Sequence, residues 1–356
     1  MSAAHQWRGV IEEYRDRLPV SPATPVITLR EGGTPLVRSD GLSEETGCEV
    51  YLKFDGANPT GSFKDRGMTL AISKAVEEGS HAVVCASTGN TSASAAAYAA
   101  KAGVACGVLL PAGKVALGKM AQTVAHGAVL IQLQANFDAA LDVARTLSER
   151  YPVTLVNSVN PFRLQGQKTL AFEVCDALGR APDYHLVPVG NAGNISSHWM
   201  GYREYLQDSV IAEPPRLFGF QAAGAAPLVG GAPVPNPTTI ATAIRIGNPA
   251  SWDLAVAAAR ESEGQILAVT DREILSAYRR VARDGLFAEL ASAASIAGLR
   301  SLSVAGRLEP GSVVVCVLTG HGLKEPDWAI DAASLPQPVR PDADVVAALM
   351  GLAAST

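Results

Sequence analysis

One lysine lies at a position where the local structure of the chain can alter the pKa of its amine. Residues 58–67 are NPTGSFKDRG, and Lys64 follows a Pro-Gly turn at the predicted start of a helix. The field of a helix N-terminus disfavours positive charge, so it lowers the pKa of an amine placed there. More of the amine is then neutral, and the neutral amine is the form that reacts with a carbonyl group. The alternative is a solvated lysine paired with Asp65 or another acid.

A second segment places hydroxyl groups at the start of a helix. Residues 86–92 are ASTGNTS and lead into an alanine-rich helical pattern. Backbone N–H groups at a helix N-terminus, together with the hydroxyls of Ser87, Thr88 and Thr91, are suited to binding an anion. Ordinary N-capping explains one or two of these residues, but not four polar residues in five.

Two further segments follow predicted strands. Gly190 and Gly193 in the sequence VGNAGNI let backbone amides approach a phosphate closely, although a plain glycine-rich turn is the alternative. The pattern is not G-x-G-x-x-G, which argues against a dinucleotide site. Later in the chain Thr319 ends an apolar run and can present a neutral hydroxyl, whereas His321 is interpreted as a loop histidine without a catalytic role.

The elements that position these segments alternate along the chain. Predicted strands cover residues 50–54, 82–86, 106–110, 128–133, 153–157, 185–189, 217–221, 265–269 and 313–318. Predicted helices cover residues 62–78, 91–101, 137–150, 165–178, 271–282 and 292–304. This alternation is typical of α/β proteins whose parallel sheets are covered on both faces.

So many strands exceed one comfortable sheet, and the prediction is therefore an α/β fold with two open twisted sheet-centred lobes. Ligands bind at the carboxyl ends of parallel strands, so the cleft between the lobes is the expected active site. Residues 224–248 are rich in Gly, Pro and Ala and are predicted to be irregular. The tail from residue 326 is proline-rich, with one short helical pattern at 342–352.

Composition excludes several classes of protein. The chain has 356 residues, 48% hydrophobic and 18% charged, which argues against disorder. A net charge of −5 argues against a nucleic-acid surface, and no apolar run is long enough to span a membrane. Five cysteines without a C-x-x-C pair favour a reduced, cytoplasmic protein. The spacing of the six histidines predicts no metal site.

Taken in this order, the motifs resemble the threonine synthases, which are pyridoxal-phosphate enzymes of fold type II, the tryptophan-synthase-β family. The resemblance covers nearly the whole chain. It is carried by EGGTPL from Glu31, NPTGSFKDRGM from Asn58, STGNT from Ser87, NSVNP from Asn157, GNAGN from Gly190, Glu289 with SAASIAG from Ser292, and TGHGLK from Thr319.

The resemblance implies pyridoxal 5′-phosphate as cofactor, held by Lys64 as a Schiff base, with the same lysine acting later as acid and base. The other residues implied to contact the cofactor form one set. They are Phe63 beside the lysine, Asn90 on the ring oxygen O3′, Thr319 facing the pyridine nitrogen, and Gly190, Asn191, Ala192, Gly193 and Asn194 around the phosphate.

The substrate implied is O-phospho-L-homoserine, bound through its two anionic groups. Ser87, Thr88, Asn90 and Thr91 are implied to hold its carboxylate. Asn157, Arg163 and Asn191 are implied to hold its phosphate, with Thr91 and Lys53 nearby. Loss of the Cα proton and then a Cβ proton leads to elimination of the γ-phosphate, and water adds at Cβ to give L-threonine.

The resemblance also implies a homodimer and a division of the chain into two domains. A large cofactor-binding domain would comprise residues 1–57 and 155–356, and a small domain residues 58–154. Asp55, Ala57 and Leu290 depart from the family pattern, which has Glu, Leu and Pro there.

Four alternatives stay open from the sequence. The nearest is a serine/threonine dehydratase of the same fold, which shares Lys64 but needs no phosphate pocket at Asn157 and Arg163. A specialised paralogue with another nucleophile, a non-catalytic cofactor-binding protein and a nicotinamide-dependent enzyme are the others. For Arg163 itself, the alternative is a surface arginine at the start of a helix.

Overall fold

The structure is a computed structural model that describes residues 5–112, 120–134, 137–331 and 338–352. Residues 1–324 form one compact unit and residues 325–356 form a second.

The described residues contain ten strands. They are β1 Leu36–Arg38, β2 Glu49–Phe54, β3 Ala82–Ala86, β4 Ala105–Pro111, β5 Val129–Leu133, β6 Val153–Leu155, β7 Tyr184–Pro188, β8 Arg216–Ala222, β9 Gln265–Val269 and β10 Val313–Leu318.

These strands form two sheets within the first unit. The larger has six strands in the order β1-β2-β10-β7-β8-β9, and the smaller has four in the order β5-β4-β3-β6. Neighbouring strands are parallel throughout, except that β1 runs antiparallel to β2 at one edge of the larger sheet. Parallel neighbours need crossover connections, which here are mostly helices.

The first unit carries thirteen α-helices among its described residues. They are α1 Val10–Glu13, α2 Asp40–Thr46, α3 Lys64–Glu77, α4 Asn90–Ala102, α5 Ala121–Ala125, α6 Phe137–Arg150, α7 Pro161–Gln167, α8 Thr169–Leu178, α9 Gly193–Gln207, α10 Pro227–Gly230, α11 Trp252–Glu261, α12 Asp271–Arg283 and α13 Ala293–Val304.

Each sheet is covered by helices, which explains why its central strands are mostly apolar. In the smaller sheet, α3 and α4 pack on β3 and β4, with Met68, Tyr98 and Val108 in the core. In the larger sheet, Phe172 of α8 stacks on Tyr205 of α9 at 4.4 Å between ring centroids. A strand buried on both faces cannot alternate apolar and polar residues.

The predicted α/β class with two sheets is confirmed, and every predicted strand is present with bounds shifted by at most two residues. The single helix predicted over 165–178 is wrong. The chain forms α7 and α8 instead, and the Oγ1 of Thr169 donates to the carbonyl of Gly166 at 2.7 Å, where it competes with regular backbone bonding. The proposed domain boundaries stay a prediction.

The second unit contains two short helices, α14 Asp327–Asp331 and α15 Ala343–Leu349. Asp342 caps α15 by accepting hydrogen bonds from the backbone N–H groups of Asp344 and Val345. Of all the helices that the structure describes, none has the length and apolar character needed to cross a membrane.

Candidate active site

Three long helices begin at the segments that the sequence singled out. α3 starts at Lys64, α4 at Asn90 and α9 at Gly193, and they have 14, 13 and 15 residues. Each N-terminus presents backbone N–H groups that lack a partner within the helix, together with a partial positive charge. Helices that follow strands of both sheets therefore supply N-termini at which anionic groups bind well.

Lys64 lies at the start of α3 with its Nζ 4.0 Å from the centroid of the Phe63 ring. Burial and the charge of Arg163 lower the pKa of its amine to about 7, and the carboxylate of Glu289 acts in the opposite direction. Asp65 instead accepts hydrogen bonds from Thr60 and Ser94, at 2.6 to 2.7 Å. The pairing of Lys64 with Asp65 is therefore wrong, whereas Glu289 is an acid whose charge does act on the amine.

Arg163 is a buried cation in the first turn of α7, and only 1% of its surface is exposed. Its Nη1 donates to the carbonyl of Val156 at 3.2 Å, but no acceptor among the described residues reaches its Nε or Nη2. Burial lowers the pKa of the guanidinium to about 10. The alternative of a surface arginine is wrong, and two buried donors point to an anion that is bound during function.

The approach of α7 to α3 brings Arg163 close to Lys64. A Cβ atom on Gly67 of α3 would lie 2.6 Å from the carbonyl oxygen of Arg163, and one on Gly166 of α7 would overlap the carbonyl of Arg66. Glycine at both positions lets the two helix backbones touch.

The segment after β3 is held by Asn157, which follows β6. Its Oδ1 accepts from the N–H of Ala86 at 2.9 Å and its Nδ2 donates to the carbonyl of the same residue at 2.9 Å. Ser87 accepts from the N–H of Gly89 at 3.2 Å. The side chains of Ser87, Thr88, Asn90 and Thr91 are half-buried at the N-terminus of α4.

The glycine loop after β7 is tightly shaped. Ala192 adopts φ 66°, a left-handed conformation, immediately before α9. A Cβ on Gly190 would lie 2.9 Å from the Cα of Ile244, so a side chain has no room there. Asn194 donates to the carbonyl of Pro188 at 2.6 Å, which ties the first turn of α9 to the end of β7.

Asn191 in this loop bonds to two other segments. Its Oδ1 accepts from the N–H of Ala250 at 2.6 Å, and its Nδ2 is hydrogen-bonded to the hydroxyl of Ser158. Ser158 lies next to Asn157 in sequence, and sequence reasoning did not select it.

Thr319, at the end of β10, lies in a cluster that sequence reasoning only partly found. Its hydroxyl is 3.2 Å from that of Ser292 and donates to Glu289 at 3.5 Å. Asn90 donates to both carboxylate oxygens of Glu289, at 3.0 and 3.2 Å. Glu289 appeared in the motif without a role, and its contacts depend on residues far away in sequence.

A buried ion cluster fixes α3 just after Lys64. Arg66 donates to both carboxylate oxygens of Asp55 at 2.7 and 2.8 Å and also pairs with Glu173. Glu173 accepts from Lys53 at 2.7 Å, so the amine of Lys53 is bonded here and to Thr34. His321 packs between the rings of Phe54 and Phe287, a packing role that agrees with its interpretation as a loop residue.

Comparison with known proteins now adds to this geometry. A family model for pyridoxal-phosphate-dependent enzymes matches residues 27–320. The threonine synthase of Mycobacterium leprae is 58% identical over 354 residues, which cover 99% of this chain and 98% of that protein. The chain belongs to the threonine synthase family of pyridoxal-phosphate-dependent enzymes. The threonine synthase of Halalkalibacterium halodurans is 56% identical over 95% of both chains. The resemblance found from the motifs is confirmed.

Solved structures agree on the fold. The structure of maize serine racemase superimposes with a TM-score of 0.74 and 20% identity, covering 91% of this chain and 96% of that one. At that identity the likeness concerns the fold alone, and one fold can carry several activities. It confirms the fold type II architecture expected for a threonine synthase family member.

Proposed function

We propose that this protein is a threonine synthase, which eliminates phosphate from O-phospho-L-homoserine and adds water at Cβ to give L-threonine. The observation that carries the proposal is Arg163, a buried cation with two unoccupied donors close to the amine of Lys64. A guanidinium pairs two oxygens of a phosphate at once. The identity to threonine synthases over nearly the whole chain supports the same conclusion.

The residues present fit pyridoxal phosphate. A partly neutral amine at Lys64 suits covalent attachment as a Schiff base, and the loop at the N-terminus of α9 suits its phosphate. Gly190 has no room for a side chain, because a Cβ there would collide with Ile244. When bound, the cofactor supplies an electron sink that stabilises negative charge on the substrate carbon.

Within this proposal Lys64 has two tasks. Its Nζ holds the cofactor, and once released it takes the proton from the substrate Cα. A pKa of about 7 suits a group that must both accept and return a proton near neutral pH. Asn90 and Thr319 would contact the ring, and Phe63 lies against the lysine.

The substrate would be oriented by its two charged ends. Its carboxylate would bind at the N-terminus of α4, among Ser87, Thr88, Asn90 and Thr91. Its phosphate would bind Arg163, together with Asn157 and Asn191. Because Asn157 bonds the backbone of Ala86, we propose that it also holds the carboxylate-binding segment in place.

The serine/threonine dehydratase alternative is not favoured, because its substrates have no phosphate to offset the buried charge of Arg163. Relatives of 56–58% identity named as threonine synthases point the same way. We further propose a homodimer, as the resemblance implies, and a cytoplasmic location, which is supported by five buried cysteines free of disulfides. Light scattering of the purified protein tests the dimer.

A substrate panel tests the proposed function. The purified protein with pyridoxal phosphate is incubated separately with phosphohomoserine, phosphoserine, phosphothreonine, serine and threonine. We expect phosphate release from phosphohomoserine alone. Ammonia and a 2-oxo acid from serine or threonine, without phosphate release from phosphohomoserine, would favour the dehydratase.

A further inference from the structure

Glu289 connects two residues that the proposed function places against the cofactor ring. Its carboxylate accepts from the Nδ2 of Asn90 at 3.0 and 3.2 Å and from the hydroxyl of Thr319 at 3.5 Å. Asn90 begins α4 beside the smaller sheet, and Thr319 directly follows β10 of the larger sheet. Only 2% of Glu289 is exposed, so water does not compete freely for these bonds.

The backbone around Glu289 holds its carboxylate in this position. Its N–H donates to the carbonyl of Gly320 at 2.9 Å, and the N–H of Gly320 donates to Ser292 Oγ at 2.9 Å. A Cβ on Gly320 would overlap the carboxylate of Glu289. Glycine at position 320 is therefore required for Glu289 to reach both partners.

A carboxylate can only accept hydrogen bonds, and this fixes the amide of Asn90. The amide nitrogen must face Glu289, which leaves its second N–H free to donate elsewhere. In the proposed function Asn90 meets the ring oxygen O3′, which accepts. If the Asn90 amide were turned the other way, its oxygen would face O3′, and two acceptors repel each other.

The charge of Glu289 also acts on Lys64. The carboxylate raises the pKa of the Lys64 amine, whereas burial and the charge of Arg163 lower it. Burial lowers the pKa of Lys324, another amine near the site, and the charge of Glu289 opposes that shift as well. Glu289 is thus a negative group that partly offsets the positive charge at Lys64.

We infer that Glu289 is a positioning residue, which orients the Asn90 amide and the Thr319 hydroxyl toward the cofactor ring and balances the charge of Lys64. This inference rests on the proposed function for the cofactor contacts of Asn90 and Thr319. It does not make Glu289 a catalytic residue, since it acts through its neighbours.

The variant Glu289→Gln tests the inference because it keeps the size of the side chain and removes its charge. In cofactor-free protein, the pH dependence of Lys64 acylation by acetic anhydride is followed by peptide mass spectrometry. We expect the midpoint to fall by about one pH unit. In the presence of pyridoxal phosphate, we expect about tenfold weaker binding, as loss of a charged hydrogen bond implies.

Two further variants separate positioning from a general structural role. In the Asn90→Ala background, Glu289→Gln should weaken cofactor binding by much less than tenfold, because both changes remove one interaction. Glu309→Gln alters an exposed glutamate that pairs with Arg216, and we expect neither readout to change. Equal effects of Glu289→Gln in both backgrounds would contradict the role in orienting Asn90.

An acylation midpoint and a cofactor affinity both unchanged in folded Glu289→Gln would overturn the inference. If Glu289→Gln fails to fold, Gly320→Ala is used instead, because it displaces the same carboxylate. We expect Gly320→Ala to lower the midpoint of Lys64 acylation, and an unchanged midpoint would overturn the inference. Failure of the proposed function is distinguishable, since wild-type protein would then not attach pyridoxal phosphate at Lys64. The acylation midpoint needs no cofactor and would still report on the charge of Glu289.

Discussion

The guanidinium of Arg163 lies close to the amine of Lys64 where α7 packs against α3. Arg163 is buried with two donors unoccupied, and its charge adds to burial in lowering the pKa of Lys64 to about 7. The carboxylate of Glu289 offsets the charge at Lys64 only in part, and a buried cation without a paired anion is costly. A phosphorylated substrate would relieve that cost at the place where the reaction occurs.

Replacing Arg163 should separate phosphate chemistry from cofactor attachment. In Arg163→Leu we expect phosphate release from phosphohomoserine to fall at least about a hundredfold, because the charged donors to the leaving group are lost. Affinity for pyridoxal phosphate should change much less. Steady-state phosphate release and cofactor titration check the two effects, with Arg216→Leu at the surface as control. If both properties fall together, or neither falls, it is wrong to assign the substrate phosphate to Arg163 and the cofactor phosphate to the loop before α9.

Cofactor attachment should depend on pH through Lys64. The pKa of about 7 lies below the ordinary 10.5, so the reactive neutral amine forms between pH 6 and 8. We expect the rate of attachment to cofactor-free protein to rise through pH 7 and to level off above about pH 8. Borohydride trapping and peptide mapping measure this rate, and Lys64→Ala should give no trapped product. A midpoint near 10 would show that the amine is not perturbed.

Removing Glu173 should destabilise the fold beneath Lys64. In Glu173→Gln the buried charges of Arg66 and Lys53 lose a partner, and we expect a loss of about 3–5 kcal/mol in the free energy of unfolding. Urea denaturation measures it, and exposed Glu44→Gln is the control, with an expected change within about 0.5 kcal/mol. A loss no larger than that of the control would mean that this cluster does not anchor α3.

The protein should also lose stability in acid, because the Glu173 carboxylate becomes protonated there. Burial raises the pKa of Glu173, but Arg66 and Lys53 outweigh it and bring the value to about 2, below the ordinary 4.5. The unfolded chain therefore binds more protons in this window, and the contribution of Glu173 is lost as pH falls from about 4.5 to 2. Urea denaturation at several pH values measures it. Glu173→Gln should lack that part of the pH dependence, and an identical acid profile in both proteins would contradict the assignment.

The close contact between α3 and α7 should not tolerate a methyl group added at Gly166. Gly166→Ala would push its Cβ into the carbonyl of Arg66 and move Arg163 away from Lys64. We expect a loss of stability of about 1–3 kcal/mol and a fall in phosphate release. Gly107→Ala is the control, because its Cβ would meet Val84 at an ordinary 3.7 Å. Thermal unfolding and phosphate release are the measurements, and equal behaviour of the two variants would contradict a close helix contact.

Much of this fold could be predicted from local pattern, because buried parallel strands are continuous apolar runs. β1 was missed since it has only three residues and pairs at an edge. The bounds of α9 were not predicted, because its sequence GNISSHWMGYREYLQ mixes apolar and polar residues without a clear stripe. The helix predicted from residue 62 begins at Lys64, since Ser62 pairs with Gly320 in a short bridge.

The candidate site was predictable where a motif carries it and not where it depends on distant contacts. Lys64, Arg163 and the glycine loop lie in recognisable segments. The bond from Asn90 to Glu289 joins residues 199 positions apart, and no spacing rule reveals such a pair. Likewise, Asn157 was assigned to substrate phosphate, but its two bonds to Ala86 appear only once β6 lies beside β3.

The most direct measurement of the central claim is the product balance from phosphohomoserine. Phosphate, threonine, ammonia and 2-oxo acid are quantified in one time course with the wild-type protein and pyridoxal phosphate. We expect phosphate and threonine in a one-to-one ratio, with no ammonia or 2-oxo acid above background. Phosphate released without threonine, or no phosphate released at all, would contradict it.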